Sequence, residues 1–132
     1  MNRLLTLVVL SALLTWLSVM LASLLRARAW TPEGMKLAFG NRANMPEVTG
    51  LAGRADRTAR NTLENFVLFA AIALVAQASG NTNPMITQGA ELFFWSRVAF
   101  IPVYYAGITF VRTVVWLASI VGMAMMVLAL LR

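Results

Sequence analysis

Residues 4–25 form an unbroken run of 22 residues without a single charge, closed by Arg26 and Arg28. Few environments accept such a run. A bilayer core takes about 20 apolar residues as a helix. Inside it each backbone N–H and C=O must find its partner within the segment, which a helix provides. The rest of the chain agrees: 60% of its 132 residues are hydrophobic and 12% charged, against about 25% charged in a soluble domain. The sequence predicts an all-α integral membrane protein before any motif is read. Arg3 ahead of the run, and Ala27-Arg28-Ala29 after it, imitate a cleaved signal peptide. The run exceeds the roughly 7–15 residues of such a segment and three more spans follow, so it reads as a retained helix. Ser11, Thr15 and Ser18 fall on one of its faces, where small hydroxyl residues let another membrane helix come close.

Further spans are expected at about 53–78, 86–106 and 110–131, giving a four-helix bundle in one domain covering residues 1–132. Ser79-Gly80-Asn81-Thr82-Asn83-Pro84 is an uncharged turn, and Gly107 with Thr109 allows a very short connection. The stretch 26–52, with Pro32, Pro46, Gly34, Gly40 and Gly50, reads as one long loop, in which 41–46 makes a turn. Residues 26–60 hold seven Lys/Arg, whereas the connection between the second and third spans holds none. The positive-inside rule then puts the long loop in the cytoplasm and both termini on the other side, with Arg3 and Arg132 as the exceptions. The net charge of +6 follows from that topology, and nucleic acid is not an expected partner. With no cysteine and no histidine, disulfides, cysteine nucleophiles and the usual zinc and haem ligands are excluded. The carboxylates are too scattered for a metal cage.

One stretch carries chemistry: Arg57-Thr58-Ala59-Arg60-Asn61-Thr62-Leu63-Glu64-Asn65-Phe66. The apolar run behind it, 66–76, is too short to cross a bilayer, so the helix must reach back through Glu64 and Asn61. Arg57, Asn61 and Glu64 recur at i, i+4 and i+7 on one face, with Arg60 beside them. Ionisable groups at membrane depth are costly and usually functional. Arg97, near the middle of the third span, needs a partner, and Glu64 is the natural one. That pair is either purely structural or shared with an ammonium group of a ligand. Phe100 and Tyr104 share the face of Arg97, and Arg112, Trp116 and Ser119 form a stripe on the last helix. Tyr104 and the tryptophans could instead be interfacial belt residues, and Arg112 could snorkel to headgroups. Met123, Met125 and Met126 read as lipid-facing or gap-filling. Together Arg57, Arg60, Asn61, Glu64, Tyr104 and Arg112 would line one cavity suited to a small zwitterion bearing more than one carboxylate. The arginines would take the carboxylates in bidentate fashion and Glu64 the amine. None of these residues is an obvious nucleophile, so that group would come with the ligand.

The pattern Arg-x-x-x-Asn-x-x-Glu-Asn-Phe at 57–66 resembles the second-helix signature of the MAPEG family, the membrane-associated proteins of eicosanoid and glutathione metabolism. Chain length, four spans, the basic loop and the spacing of Arg97, Tyr104 and Arg112 extend the resemblance over the whole chain, in the style of a bacterial inner-membrane member. The resemblance implies a homotrimer with glutathione held between subunits near the cytosolic face. It implies glutathione contacts from Arg57, Asn61, Glu64 and Tyr104, and from Arg28 at the end of the first helix. Arg112 would stabilise the thiolate, and a lipophilic electrophile would arrive from the membrane lipids. The sequence departs from the pattern at Val67, Phe100 and Trp116, where proline, histidine or tyrosine, and tyrosine are common. The expected function is a glutathione-dependent transferase or peroxidase. The alternative is a non-catalytic protein of the same fold whose polar core serves assembly or binds a lipid-like anion. A transporter is a third reading, suggested by a helix broken at Pro102, but the chain has no internal repeat.

Overall fold

In the computed structural model, which describes residues 1–40 and 49–132, the described residues form five helices and no strand. They are α1 (Arg3–Ala27), α2 (Pro32–Phe39), α3 (Gly50–Ser79), α4 (Pro84–Tyr105) and α5 (Thr109–Leu131). The four long helices coincide in residue range with the four segments expected to be helical. The turn expected at 41–46 lies outside the described residues. Two expectations change. Part of the long loop is a helix, because Thr31 caps it and Pro32 opens it: the Thr31 hydroxyl accepts from the Gly34 amide at 2.9 Å. Pro102 does not break α4, which continues to Tyr105. The proline stands within the last turn, so the hydrogen bond its missing N–H forfeits is near the helix end.

By length and composition α1, α3 and α5 are apolar enough to cross a membrane. The expected fourth apolar span is not among them. At 22 residues α4 has the length, but Gln88, Glu91 and Arg97 interrupt its apolar character. It lies beside α5 in the most extensive helix contact of the fold. Two glycines make that contact possible. A Cβ on Gly89 would stand 2.4 Å from the Gly122 carbonyl oxygen, and one on Gly122 would stand 2.6 Å from that of Gly89. The backbones touch, as small residues permit between membrane helices. Gly107, at φ 77, supplies the left-handed turn between the two helices.

The interior is divided along the bundle axis. At the end holding the start of α1 and the α3–α4 turn lies an apolar core of Leu4, Leu7, Phe69, Ile86, Phe93, Met126 and their neighbours. Phe69 and Phe93 stack in it at 4.2 Å with rings 9° apart. Met123 and Met126 fill this core. Arg3, at the start of α1, reaches Glu91 of α4 through two hydrogen bonds, one of them at 3.0 Å, and Trp95 donates to the same carboxylate at 3.0 Å. Among the described residues, the other end has a small cluster of Ala22, Ala55 and Ala59 with Leu25 and Tyr105 against it. Polar side chains fill the space between.

The rotation of α3 decides which of its residues enter. Ala55, Thr58, Thr62, Asn65, Phe69, Ala73 and Ala76 are buried, a stripe advancing three or four residues at a time, with Ala59 beside Thr58. Arg57 and Glu64 lie off that stripe and are exposed, and Asn61 sits at its edge. α1 buries Leu4, Leu7, Ser11, Thr15, Ser18 and Ala22 in the same rhythm and packs chiefly on α3. The hydroxyl face expected for close approach is therefore an interior face.

Candidate functional site

The polar end contains a ladder of contacts built on Arg97. This side chain is 1% exposed and among the largest fully buried ones. Its Nη2 donates to Asn61 Oδ1 at 2.8 Å and to Thr62 Oγ1 at 3.0 Å, both on α3. Asn65 Nδ2 donates to the same Asn61 oxygen at 3.2 Å. The guanidinium carbon lies 4.1 Å from the centroid of Phe100, a cation–π distance. Phe100 meets Tyr104 edge-on at 5.4 Å. Tyr104 then carries two more cations: Arg57 donates to its hydroxyl oxygen at 3.1 Å, and the Arg112 guanidinium carbon lies 4.6 Å from its ring centroid. Three arginines from three helices thus converge through two aromatic rings.

Beside this ladder opens a cleft of about 240 Å³, lined by Asn61, Phe100, Tyr104, Arg112, Thr113 and Trp116. Helix spacing explains the lining. Phe100 and Tyr104 are one turn apart on α4, as are Arg112 and Trp116 on α5. Arg112 and Asn61 both line the cleft with Tyr104, so a carboxylate or thiolate in it would meet a guanidinium and an amide. The Trp116 indole nitrogen is buried and has no hydrogen-bond partner among the described residues.

The expected site residues divide into two groups. Asn61, Tyr104 and Arg112 line the cleft, and Arg57 joins them through the Tyr104 hydroxyl. Arg60, Glu64 and Arg28 do not line it. Arg60 pairs instead with Asp56, one turn back on α3, at 3.2 Å. Arg28 is exposed at the left-handed C-cap of α1, at φ 52. The expected Glu64–Arg97 ion pair does not form among the described residues. Two residues of helix rotate the chain by 200°, so Glu64 points almost opposite to Thr62, which faces Arg97. Two neutral oxygens hold the arginine instead.

Sequence reasoning missed Thr62 and Asn65 as members of this network, and Thr113 as a wall of the cleft. The need of a membrane-depth arginine for acceptors could have pointed to Thr62. Arg54 caps α4: its Nε donates to the Tyr105 carbonyl at 2.9 Å, where a helix C-terminus favours a cation.

With this geometry in view, comparison with known families is decisive. The model of the MAPEG family matches residues 4–132, nearly the whole chain. The chain belongs to the MAPEG family. Search of curated proteins returns no match to any single one. Membership makes this MAPEG chain an integral membrane protein. It also places the Arg97–Tyr104–Arg112 ladder in a family associated with glutathione and eicosanoid chemistry.

Proposed function

We propose that this MAPEG protein is a glutathione-dependent membrane transferase or peroxidase acting on lipophilic electrophiles. The observation that carries the reading is the convergence of Arg57 and Arg112 on Tyr104 at the mouth of a cleft that also exposes Asn61. A free thiol has a reference pKa of about 8.5 and is mostly protonated at neutral pH. A guanidinium beside it favours the thiolate, the form that attacks. In this reading Arg112 holds the glutathione sulfur as thiolate, its proton having left to solvent. The sulfur forms a bond to the electrophilic carbon of a substrate arriving from the lipid, and the leaving group departs with the bonding pair. With a peroxide, the sulfur attacks oxygen and displaces an alkoxide. A second glutathione then resolves the sulfenic acid to the disulfide and water.

The dimensions of the site favour a shared one. A cleft of about 240 Å³ is smaller than the roughly 300–1,000 Å³ of small-molecule pockets. Meanwhile Arg57, Arg60 and Glu64 stand exposed on the adjoining face of α3. A homotrimer of four-span subunits would bring a second wall to this face, with Glu64 on the ligand ammonium, and Arg57, Arg60, and Arg28 from the end of α1, on its carboxylates. In this reading α4, paired with α5, spans as the fourth helix. The long basic segment faces the cytoplasm of a bacterial inner membrane and both termini face the other side.

The buried Arg97–Asn61–Thr62 network also suits a second reading, a non-catalytic trimer whose polar core serves assembly. Turnover of a lipophilic aryl halide with glutathione, compared between wild type and Arg112→Ala, separates the two. Loss of turnover with the oligomer intact supports the enzyme. Equal turnover in the variant rejects it.

A further inference from the structure

α2 stands apart from the bundle and from the cleft, yet it is rigidly placed. A Cβ on Gly34 would lie 1.8 Å from the Arg28 carbonyl oxygen and 2.3 Å from that of Ala27. The short helix therefore seats backbone on backbone against the end of α1, at a glycine no other residue could replace. Thr31 fastens the junction, since its amide and its hydroxyl both donate to the Arg28 carbonyl, at 2.9 and 2.8 Å. At 1.5 Å per residue, the 25 residues of α1 extend about 37 Å. That exceeds the hydrocarbon thickness of about 30 Å, so the last turn of α1 reaches the headgroup layer. α2 is held at that same depth.

Its open side is not that of a water-facing connection. Phe39 is 85% exposed and Met35 48%, and Trp30, in the turn just before the helix, is 67% exposed. Met35 and Phe39 are one turn apart, on the same stripe of α2. Gly34, Leu37 and Ala38 form the inward side. Lys36 is exposed next to the apolar stripe, as is Arg28 at the junction, whereas Glu33 lies further round the helix in its first turn. A short helix with aromatic and thioether side chains on one strip and a cation beside it has the features of a segment lying in a membrane interface. Tryptophan at this depth agrees.

We propose that α2 is an interfacial anchor that binds anionic phospholipid. Trp30, Met35 and Phe39 enter the boundary between headgroups and acyl chains of the leaflet reached by the C-terminal end of α1, and Lys36 meets lipid phosphates. The anchor fixes the depth of the adjoining polar end of the bundle. It does not depend on glutathione or on catalysis.

The chain has no cysteine, so Phe39→Cys gives a single labelling site on an exposed residue, and Thr82→Cys, in the α3–α4 turn, gives a reference on the water side. The full-length protein is labelled with a nitroxide and reconstituted in phosphatidylcholine vesicles with and without phosphatidylglycerol. Spin-relaxation accessibility to oxygen and to a water-soluble nickel chelate is then read. The expected oxygen-to-nickel ratio at position 39 is several-fold above that at position 82. In the phosphatidylglycerol vesicles, adding Lys36→Glu lowers it; in phosphatidylcholine alone, the same change leaves it unaltered. A nickel accessibility at position 39 equal to that at position 82 would overturn the proposal, because the helix would face water. Loss of access to both reagents would also overturn it, because another protein surface would cover the helix. A ratio indifferent to Lys36→Glu in the charged vesicles would refute the anionic-lipid part.

Discussion

Replacing Thr62 with valine removes one of the two acceptors on Arg97 while keeping the size of the side chain and its place in the buried stripe of α3. The guanidinium loses its 3.0 Å bond to Thr62 Oγ1 and keeps only Asn61 Oδ1 at 2.8 Å. Nε and Nη1 already lack partners among the described residues, and at 1% exposure water does not fill the gap. Hydrogen bonds to charged groups contribute about 1.5–3 kcal/mol in soluble proteins. Polar contacts between membrane helices average about 0.6 and reach about 1.7 kcal/mol, because the unfolded chain in lipid finds other partners. A buried cation belongs at the upper end of that second range. The expected loss is about 1.5 kcal/mol, close to a tenfold shift in the unfolding equilibrium. Unfolding in mixed detergent–dodecyl sulfate micelles, followed by circular dichroism, measures it. Glu64→Gln, studied in parallel, is expected to change stability by less than about 0.5 kcal/mol, since the residue is exposed. If Glu64→Gln cost as much as Thr62→Val, or if Thr62→Val cost nothing, Arg97 would be held by the carboxylate after all and the reasoning would fail.

Other predictions follow from the same geometry. Gly122→Ala would set a Cβ 2.6 Å from the Gly89 carbonyl and 2.8 Å from the Phe93 amide nitrogen; forcing α4 and α5 apart should cost about 1–3 kcal/mol, read by the same unfolding assay. Tyr104→Phe removes the acceptor of the Arg57 bond while leaving the ring under Arg112, so calorimetry should find weaker glutathione binding with unfolding little changed. Glu64→Gln, neutral for stability, should weaken glutathione binding by the same measurement, because the amide cannot pair with the ligand ammonium.

Much of this was legible in the sequence, and the reasons differ by element. The four long helices were readable as long apolar runs closed by charges, as at Arg26 and Arg28, or by turns with glycine or proline, as at Gly80-Asn81-Thr82-Asn83-Pro84. The family signature was readable because the pattern Arg-x-x-x-Asn-x-x-Glu-Asn-Phe stands intact at 57–66 and resembles that of the family. α2 was missed although Thr31-Pro32-Glu33 is a helix start, because Gly34 and Gly40 read as breakers. Gly34 is in fact required by the backbone contact with α1. The partner of Arg97 was missed because opposite charge suggested Glu64, while the rotation of α3 depends on which of its faces buries small residues against α1. That rotation follows from Ala55, Thr58, Ala59 and Thr62 packing inward, a tertiary fact. The Gly89–Gly122 crossing joins two helices whose register no local pattern states.

The central claim is that Arg112 activates a thiol in the Asn61–Tyr104 cleft. The most direct measurement is the ultraviolet difference absorbance of the purified protein on adding glutathione near neutral pH, for wild type and for Arg112→Ala with its oligomeric state checked. A thiolate band in the wild type that is absent from the variant is the predicted result. No band in the wild type, or an equal band in both, would contradict it.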